Sequence, residues 1–256
     1  MEGVETFSGF HSRFLEAERS IHVWTPPGYT ARRAYPVLYL QDGQNVFDPE
    51  TSFVRGEHWR AAETATLLVR TGEITPLLIV AIDNAGDARI DEYTPTQNAR
   101  LHRGGRAERY EKMLLGEVMP FVAARYRVRT GPRSTALGGS SLGGLLTLFI
   151  GMRRPDIVGR LAIMSPSLWW DDRVILRKIA GNEWRPRPRI WLDCGTDEAS
   201  TPRASTRDAR SLRRILLRQG WREGRNLVYC EDQGGGHNER AWAYRFPMML
   251  RFLFST

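Results

Sequence analysis

The sequence predicts an α/β fold: a single domain on a mostly parallel central sheet of about eight strands, flanked by helices, with no large lid domain. Three observations predict it. Apolar runs of strand length alternate along the chain with stretches of helical periodicity, the pattern of a parallel sheet covered on both faces. The 256 residues suit one large α/β domain, since such domains routinely reach ~250 residues. Hydrophobic residues make up 41% and charged residues 26%, ordinary proportions for a chain with a substantial core. With no internal repeat, low-complexity tract or linker-like stretch, residues 1–256 are read as one domain.

The elements follow in order. Arg19–Trp24 alternates polar and apolar residues and stops at Pro26-Pro27-Gly28, an early strand and turn. Pro36–Leu40 is a buried strand running into the polar loop Gln41-Asp42-Gly43-Gln44-Asn45. Helical spacing covers Trp59 to Val69, and a second buried strand runs from Pro76 to Ile82. Ala85 to Arg106 reads as a long polar loop, which inside a compact domain is often functional. Glu108 to Tyr126 carries one apolar stripe, with Pro120 expected to kink or split the helix. Further strands are expected at Ser134–Leu137, Arg160–Met164, Arg189–Asp193 and Asn226–Cys230, and an amphipathic helix at about Ala241–Leu253.

The net charge of +8 and a pI near 10 raise the question of an anionic partner. The basic residues are scattered and match no nucleic-acid motif, so nucleic acid is not expected; an acidic small substrate steered by the overall field is the better fit. No run approaches the ~18 apolar residues of a membrane span. The N-terminal residues have neither a basic nor an apolar signal region. Two cysteines, Cys194 and Cys230, are too few for a disulfide framework and fit buried thiols in a reducing compartment. The expected location is cytoplasmic.

The most informative segment is Leu137-Gly138-Gly139-Ser140-Ser141-Leu142-Gly143-Gly144. It contains Gly-Xaa-Ser-Xaa-Gly once, which makes Ser141 the central serine. The motif follows a β-like run and precedes the apolar helix start Leu145–Ile150, the strand–turn–helix setting of a nucleophile elbow. Close approach of helix and strand requires small residues two before and two after the serine. The hydroxyl would then lie near a helix N-terminus, where partial positive charge favours a developing anion. No lysine follows the glycines, which excludes a Walker loop. The mid-chain position is wrong for a dinucleotide fingerprint.

A serine hydroxyl needs a base. Of five histidines, only His237 lies downstream of Ser141, in the loop Gln233–Asn238 after the last strand, and the hydrolase order is serine, acid, histidine. The acid should follow the strand at Arg189–Asp193. Glu198 is the first choice and Asp197 the second, while Asp193 is still within the strand and reads as structural. Two backbone donors complete the set: Leu142 N–H, after the nucleophile, and Gln44 N–H, from the loop after an early strand. Asp42 and Asp48 lack partners for a metal site, so neither metal nor cofactor is expected.

With these residues in hand, the chain resembles the "Putative esterase" family of α/β hydrolases, which includes enterochelin, feruloyl and acetylxylan esterases, S-formylglutathione hydrolase and mycolyltransferases. The resemblance rests on Val23–Tyr29, Leu40–Asp48, Gly138–Gly144, Met164–Trp170, Leu192–Glu198 and Gly236-His237, and so spans nearly the whole chain. It implies an α/β-hydrolase fold, Glu198 as the triad acid and Gln44 as an oxyanion donor. Relatives often carry His or Tyr where this chain has Gln41.

The stretch between the Arg160–Met164 strand and the acid strand is too short for a lid and holds one helix, around Asp172–Ala180. An open site is therefore expected. Ala85–Arg106 would form one wall, with Arg89 and Tyr93 as candidate contacts and arginines placed to pair with an anionic ester. Trp169 and Trp170 would add aromatic surface. The expected partner is a small polar or aromatic ester of the siderophore type, with a feruloyl- or acetyl-sugar ester, or acyl transfer, as the alternatives; a non-catalytic binding protein on the same fold is a further reading, which the intact set of Ser141, Glu198 and His237 argues against.

Overall fold

The computed structural model describes residues 3–198 and 204–255. In chain order the elements are β1 (Val4–Phe10), β2 (Arg19–Trp24), β3 (Val37–Gln41), α1 (Ala61–Arg70), β4 (Leu78–Ile82), α2 (Arg89–Tyr93), β5 (Gln97–Asn98), β6 (Arg103–Gly104) and α3 (Ala107–Met113). They continue with α4 (Met119–Arg125), β7 (Thr135–Ser140), α5 (Leu142–Arg153), β8 (Arg160–Met164), α6 (Trp170–Ala180), β9 (Arg189–Gly195), α7 (Ala204–Arg218), β10 (Leu227–Asp232) and α8 (Glu239–Phe254). Eight strands form one sheet in the order β1-β2-β4-β3-β7-β8-β9-β10. β1 and β2 run antiparallel to their neighbours, and the strands from β4 to β10 pair in parallel.

Both faces of the sheet are covered, which is why its strands read as continuous apolar runs. Side chains alternate across the sheet with period two. Val37, Tyr39, Val80, Leu137 and Leu161 pack on one side with α3, α5 and α6. Leu38, Leu40, Ile79, Ala136 and Ala162 pack on the other with Trp59, Phe246 and Leu250 of the α1–α8 side. α8 is capped by Asn238, whose side chain accepts the Ala241 N–H at 3.0 Å, one of the unpaired donors of a first turn.

Every strand of this sheet from β2 onward falls on a segment whose apolar pattern predicts it. β1 does not: as an edge strand it is mostly exposed, so its sequence lacks the doubly buried signature. Phe7 and Phe10 anchor it edge-on to Phe121, at 5.1 and 5.4 Å. α7 likewise lies outside the segments that the apolar pattern marks.

Two local features depart from the expected outline. Residues 85–106 are ordered rather than loose, folding into α2 and the β5–β6 hairpin. Asp91 ties this segment together: its carboxylate accepts the Gly104 N–H at 2.5 Å and the Arg103 Nε–H at 3.0 Å, and its carbonyl accepts the Arg106 N–H at 2.8 Å. Between α3 and α4, residues Leu114–Val118 widen into a π-turn. A proline ring clashes with the carbonyl four residues back and donates no hydrogen bond. Pro120 stands directly after that wider turn, among the first residues of α4, and a π-turn is a common way for a helix to accommodate such an interruption. Between β8 and β9 only α6 intervenes, so no lid covers the sheet edge. Among the described residues, no helix is long and apolar enough to cross a membrane.

Candidate active site

The chain winds outward from β3 to β4 in one direction and from β7 to β8 in the other. Between β3 and β7 the strand order reverses, and the crevice outside their carboxyl ends is where α/β sheets gather ligands. Loops following β3, β4, β7, β9 and β10 meet there.

Ser141 forms the turn between β7 and α5 at φ 58°, ψ −122°, a conformation that costs about 1–3 kcal/mol for a residue with a Cβ and persists where surrounding packing enforces it. The packing is explicit. A Cβ on Gly139 would come within 2.7 Å of Gln41 Oε1 and 2.8 Å of the Gly143 backbone; on Gly143 it would meet Asp42 Oδ2 at 3.2 Å. The Ser141 N–H donates to Met164 O at 3.1 Å, and its carbonyl accepts from Leu145 N–H (3.1 Å) and Ser167 N–H (3.0 Å). Its hydroxyl lies 3.2 Å from Ser167 Oγ.

His237 follows β10. Its Nδ1 is 3.3 Å from Glu198 Oε2, and its ring stands edge-on to Trp242 at 5.1 Å and 81°. With Nδ1 engaged, Nε2 is the nitrogen left for chemistry. Ser141 and His237 line one cavity of about 440 Å³ without a hydrogen bond between them, the loose geometry common in a resting site. Glu198 follows β9; its side chain is 2% exposed, and its Oε1 accepts from Gly195 N–H at 2.5 Å and from Ser165 Oγ–H. Asp197 is exposed and uses its N–H to bond Gly235 O at 3.0 Å. Of these two adjacent carboxyls, Glu198 is the one in reach of the imidazole.

Leu142 opens α5, so its N–H belongs to the first turn, whose donors have no partner within the helix. Gln44 sits in the 3₁₀ turn Gly43–Asn45 after β3. Asn84 N–H bonds its side chain at 3.2 Å and Thr51 Oγ–H bonds its carbonyl at 2.8 Å. Gln44 and Ser141 line the same cavity, on loops that follow β3 and β7, the two strands flanking the switch point.

Residues 12–253 match the family described as "Putative esterase". The chain belongs to that family. The chain is a serine-hydrolase-type esterase on a single-domain α/β fold. Among curated proteins it is similar to the uncharacterized protein YbbA of Bacillus subtilis, at 24% identity over 96% of each chain. It is also similar to the ferri-bacillibactin esterase BesA of the same organism, at 27% identity over 91% of this chain and 85% of that one. A third relative is an endo-1,4-beta-xylanase/feruloyl esterase of Xylanibacter ruminicola, 27% identical over 96% of this chain; here the esterase spans only 30% of the relative's length. Among solved structures, the BES protein from Bacillus cereus superposes with a TM-score of 0.80 at 20% identity, over 100% of this chain and 96% of that one, a likeness of fold.

Around its core site the esterase departs from the contacts expected of the 85–106 wall. Arg89 reaches the cavity but already grips Asp42 with two hydrogen bonds, 2.6 and 2.8 Å, so its charge is spent inside the protein. Asp42 in turn is a loop organiser, also accepting from Asn84 Nδ2 at 2.7 Å. Tyr93 is fully buried, its hydroxyl accepting the Asp42 N–H at 3.2 Å. Burial pushes that phenol well above its usual range. Trp170 is buried too and donates Nε1–H to Thr96 O at 3.0 Å. Neither offers a face to a ligand: Tyr93 packs edge-on to Tyr110 at 5.2 Å, and Trp170 packs against Gly104 of the β5–β6 hairpin. Trp169 is exposed but packs beside Trp170 at 5.8 Å, away from the cavity lining.

The cavity's apolar surface comes instead from Phe53, 86% exposed at its rim, together with Val54 and Trp242. Asn45 fixes that rim by accepting the Phe53 N–H at 2.8 Å. No periodicity marked this loop; only an exposed aromatic close after an Asp-Gly turn could have drawn notice. Glu239, buried beside the cavity, accepts from Asn45 Nδ2 at 3.3 Å, and burial raises its pKa.

Proposed function

We propose that this esterase cleaves an ester bearing a hydroxylated aromatic ring through an acyl-enzyme on Ser141. In that reading His237 takes the Ser141 proton as the hydroxyl oxygen attacks the carbonyl carbon, and Glu198 stabilises the imidazolium. The tetrahedral oxyanion lies between Leu142 N–H and Gln44 N–H, and collapses as His237 returns the proton to the leaving alcohol. Water then repeats the sequence on the acyl group and frees Ser141. The observation that carries the reading is the strained Ser141 turn, sharing one cavity with His237, whose Nδ1 meets the buried Glu198 carboxylate.

On the substrate side, a cavity of about 440 Å³ with Phe53 and Trp242 for walls and Asn84 and Asn45 among its polar groups suits one aromatic ring carrying hydroxyls. Similarity to a siderophore esterase over most of both chains supports a catecholate siderophore ester as substrate. A feruloyl ester has the same ring chemistry and is the second reading, favoured by the Xylanibacter relative.

The test is hydrolysis of p-nitrophenyl acetate by the wild type and by Ser141→Ala between pH 5 and 9. We expect activity in the wild type that falls at least a thousandfold in the variant at every pH, roughly the loss on removing a triad member. Equal activity in both proteins would remove Ser141 from the mechanism. A panel of catecholate-siderophore and feruloyl-sugar esters then separates the two substrates.

A further inference from the structure

Behind Glu198 lies a buried polar cluster that the three-residue mechanism does not use. Ser165, directly after β8, is 2% exposed and is held at φ 41°, a left-handed backbone unusual for a residue with a Cβ. Its hydroxyl accepts from Trp242 Nε1–H at 3.0 Å and from Arg245 Nη2–H at 2.8 Å. Indole and guanidinium can only donate. Both acceptor positions of Ser165 Oγ are therefore taken, and its single proton has one place to go: Glu198 Oε1.

Arg245, with a side chain of 0% exposure, sits among three carboxylates. It lies 3.1 Å from Asp193, 2.9 Å from Asp232 and 3.7 Å from Glu198. Asp193 is fixed further by Trp191 Nε1–H at 2.6 Å and Ser165 N–H at 3.2 Å. Glu198 thus has one oxygen saturated by Ser165 and Gly195 N–H, which leaves Oε2 for His237. Trp242 closes the loop, because the indole that donates to Ser165 is the one standing against the His237 ring.

We propose that Ser165, oriented by Arg245 and Trp242, is a positioning residue: it fixes Glu198 and, through it, the imidazole of His237. The inference rests on the roles of Ser141, His237 and Glu198 given above. Its gain is preorganisation, since a carboxylate anchored through one oxygen presents the other to the imidazole without reorienting during reaction.

The experiment uses the full chain with Ser165→Gly and Ser165→Ala. Both remove the hydroxyl, but only glycine relieves the left-handed backbone, so the two variants differ in stability while sharing the catalytic lesion. With p-nitrophenyl acetate, kcat should fall roughly ten- to a hundredfold in both, the worth of one hydrogen bond to a charged group, with KM changed less than about twofold, as expected for an interaction that acts on the chemical step. The low-field proton NMR signal of the His237–Glu198 hydrogen bond should shift or vanish in both. Wild-type kcat in either folded variant, or a loss that follows melting temperature or appears only in KM, would overturn the proposal. The NMR signal needs no turnover, so it separates failure here from failure of the Ser141 assignment, which the Ser141→Ala comparison reads alone.

Discussion

Two adjacent carboxyls, Asp197 and Glu198, cannot be ranked by spacing alone, and at the scale of the residue their environments differ. Glu198 is buried, anchored through Oε1 and 3.3 Å from His237 through Oε2; Asp197 is exposed. We therefore expect Glu198→Gln to lower kcat on p-nitrophenyl acetate on the order of 10³–10⁴-fold, by analogy with loss of the triad carboxylate elsewhere. Asp197→Asn, a surface change, should stay within about twofold. The reverse ranking would move the acid to Asp197. That Ser141 and His237 line one cavity was legible, because a motif and a chain order single out these two residues as candidates. Arg245 left a fainter trace, an arginine among Trp242, Phe246 and Met249 on the buried stripe of α8. A charge on an apolar face implies a buried partner, yet the partners lie on β9 and β10, which no local pattern reveals.

At the scale of the element, the elbow is the part whose construction is most exacting. β7, the Ser141 turn and α5 approach so closely that Gly139 faces the Gly143 backbone and Gly143 faces the Asp42 and Gln41 side chains. Gly139→Ala should destabilise the protein by about 1–3 kcal/mol, the cost of overpacking a filled site, read as a lower urea midpoint at unchanged m-value. A fully stable Gly139→Ala protein would mean that the turn can relax away from Gln41. The strands that carry the other loops were legible because burial on both faces leaves an unbroken apolar run. β1 escaped because an exposed edge strand has no such run. The segment 85–106 escaped because its order comes from Asp91 binding backbone thirteen residues away, and periodicity does not register such contacts.

For the whole molecule, the +8 charge and the Arg89–Asp42 pair make a joint statement about substrate selection. The one arginine among the described residues lining the cavity is already neutralised by its neighbour. Attraction for an anionic ester must then come from the field of the protein rather than from a local cation. Long-range attraction is screened beyond about 10 Å at 0.1 M salt. Accordingly, kcat/KM for an anionic aryl ester should fall several-fold between about 0.02 and 0.5 M NaCl, while that for a matched neutral ester stays level. Equal salt response for both esters would show that net charge does not guide the substrate.

The α/β class, the central strands, the tight Ser141 turn between β7 and α5 and the loop that carries His237 were all readable along the chain. Each is written in neighbouring residues: glycines that let a helix pass close to a strand, apolar runs buried on both faces, a loop after the last strand. Which arginines are paired, which aromatics line the cavity and how Glu198 is held became visible only in the folded chain. Those outcomes depend on pairs such as Arg89 with Asp42, Trp170 with Thr96 and Arg245 with Ser165. Their partners are brought together by folding across separate strands and loops, and the desolvation of each pair depends on what else packs around it.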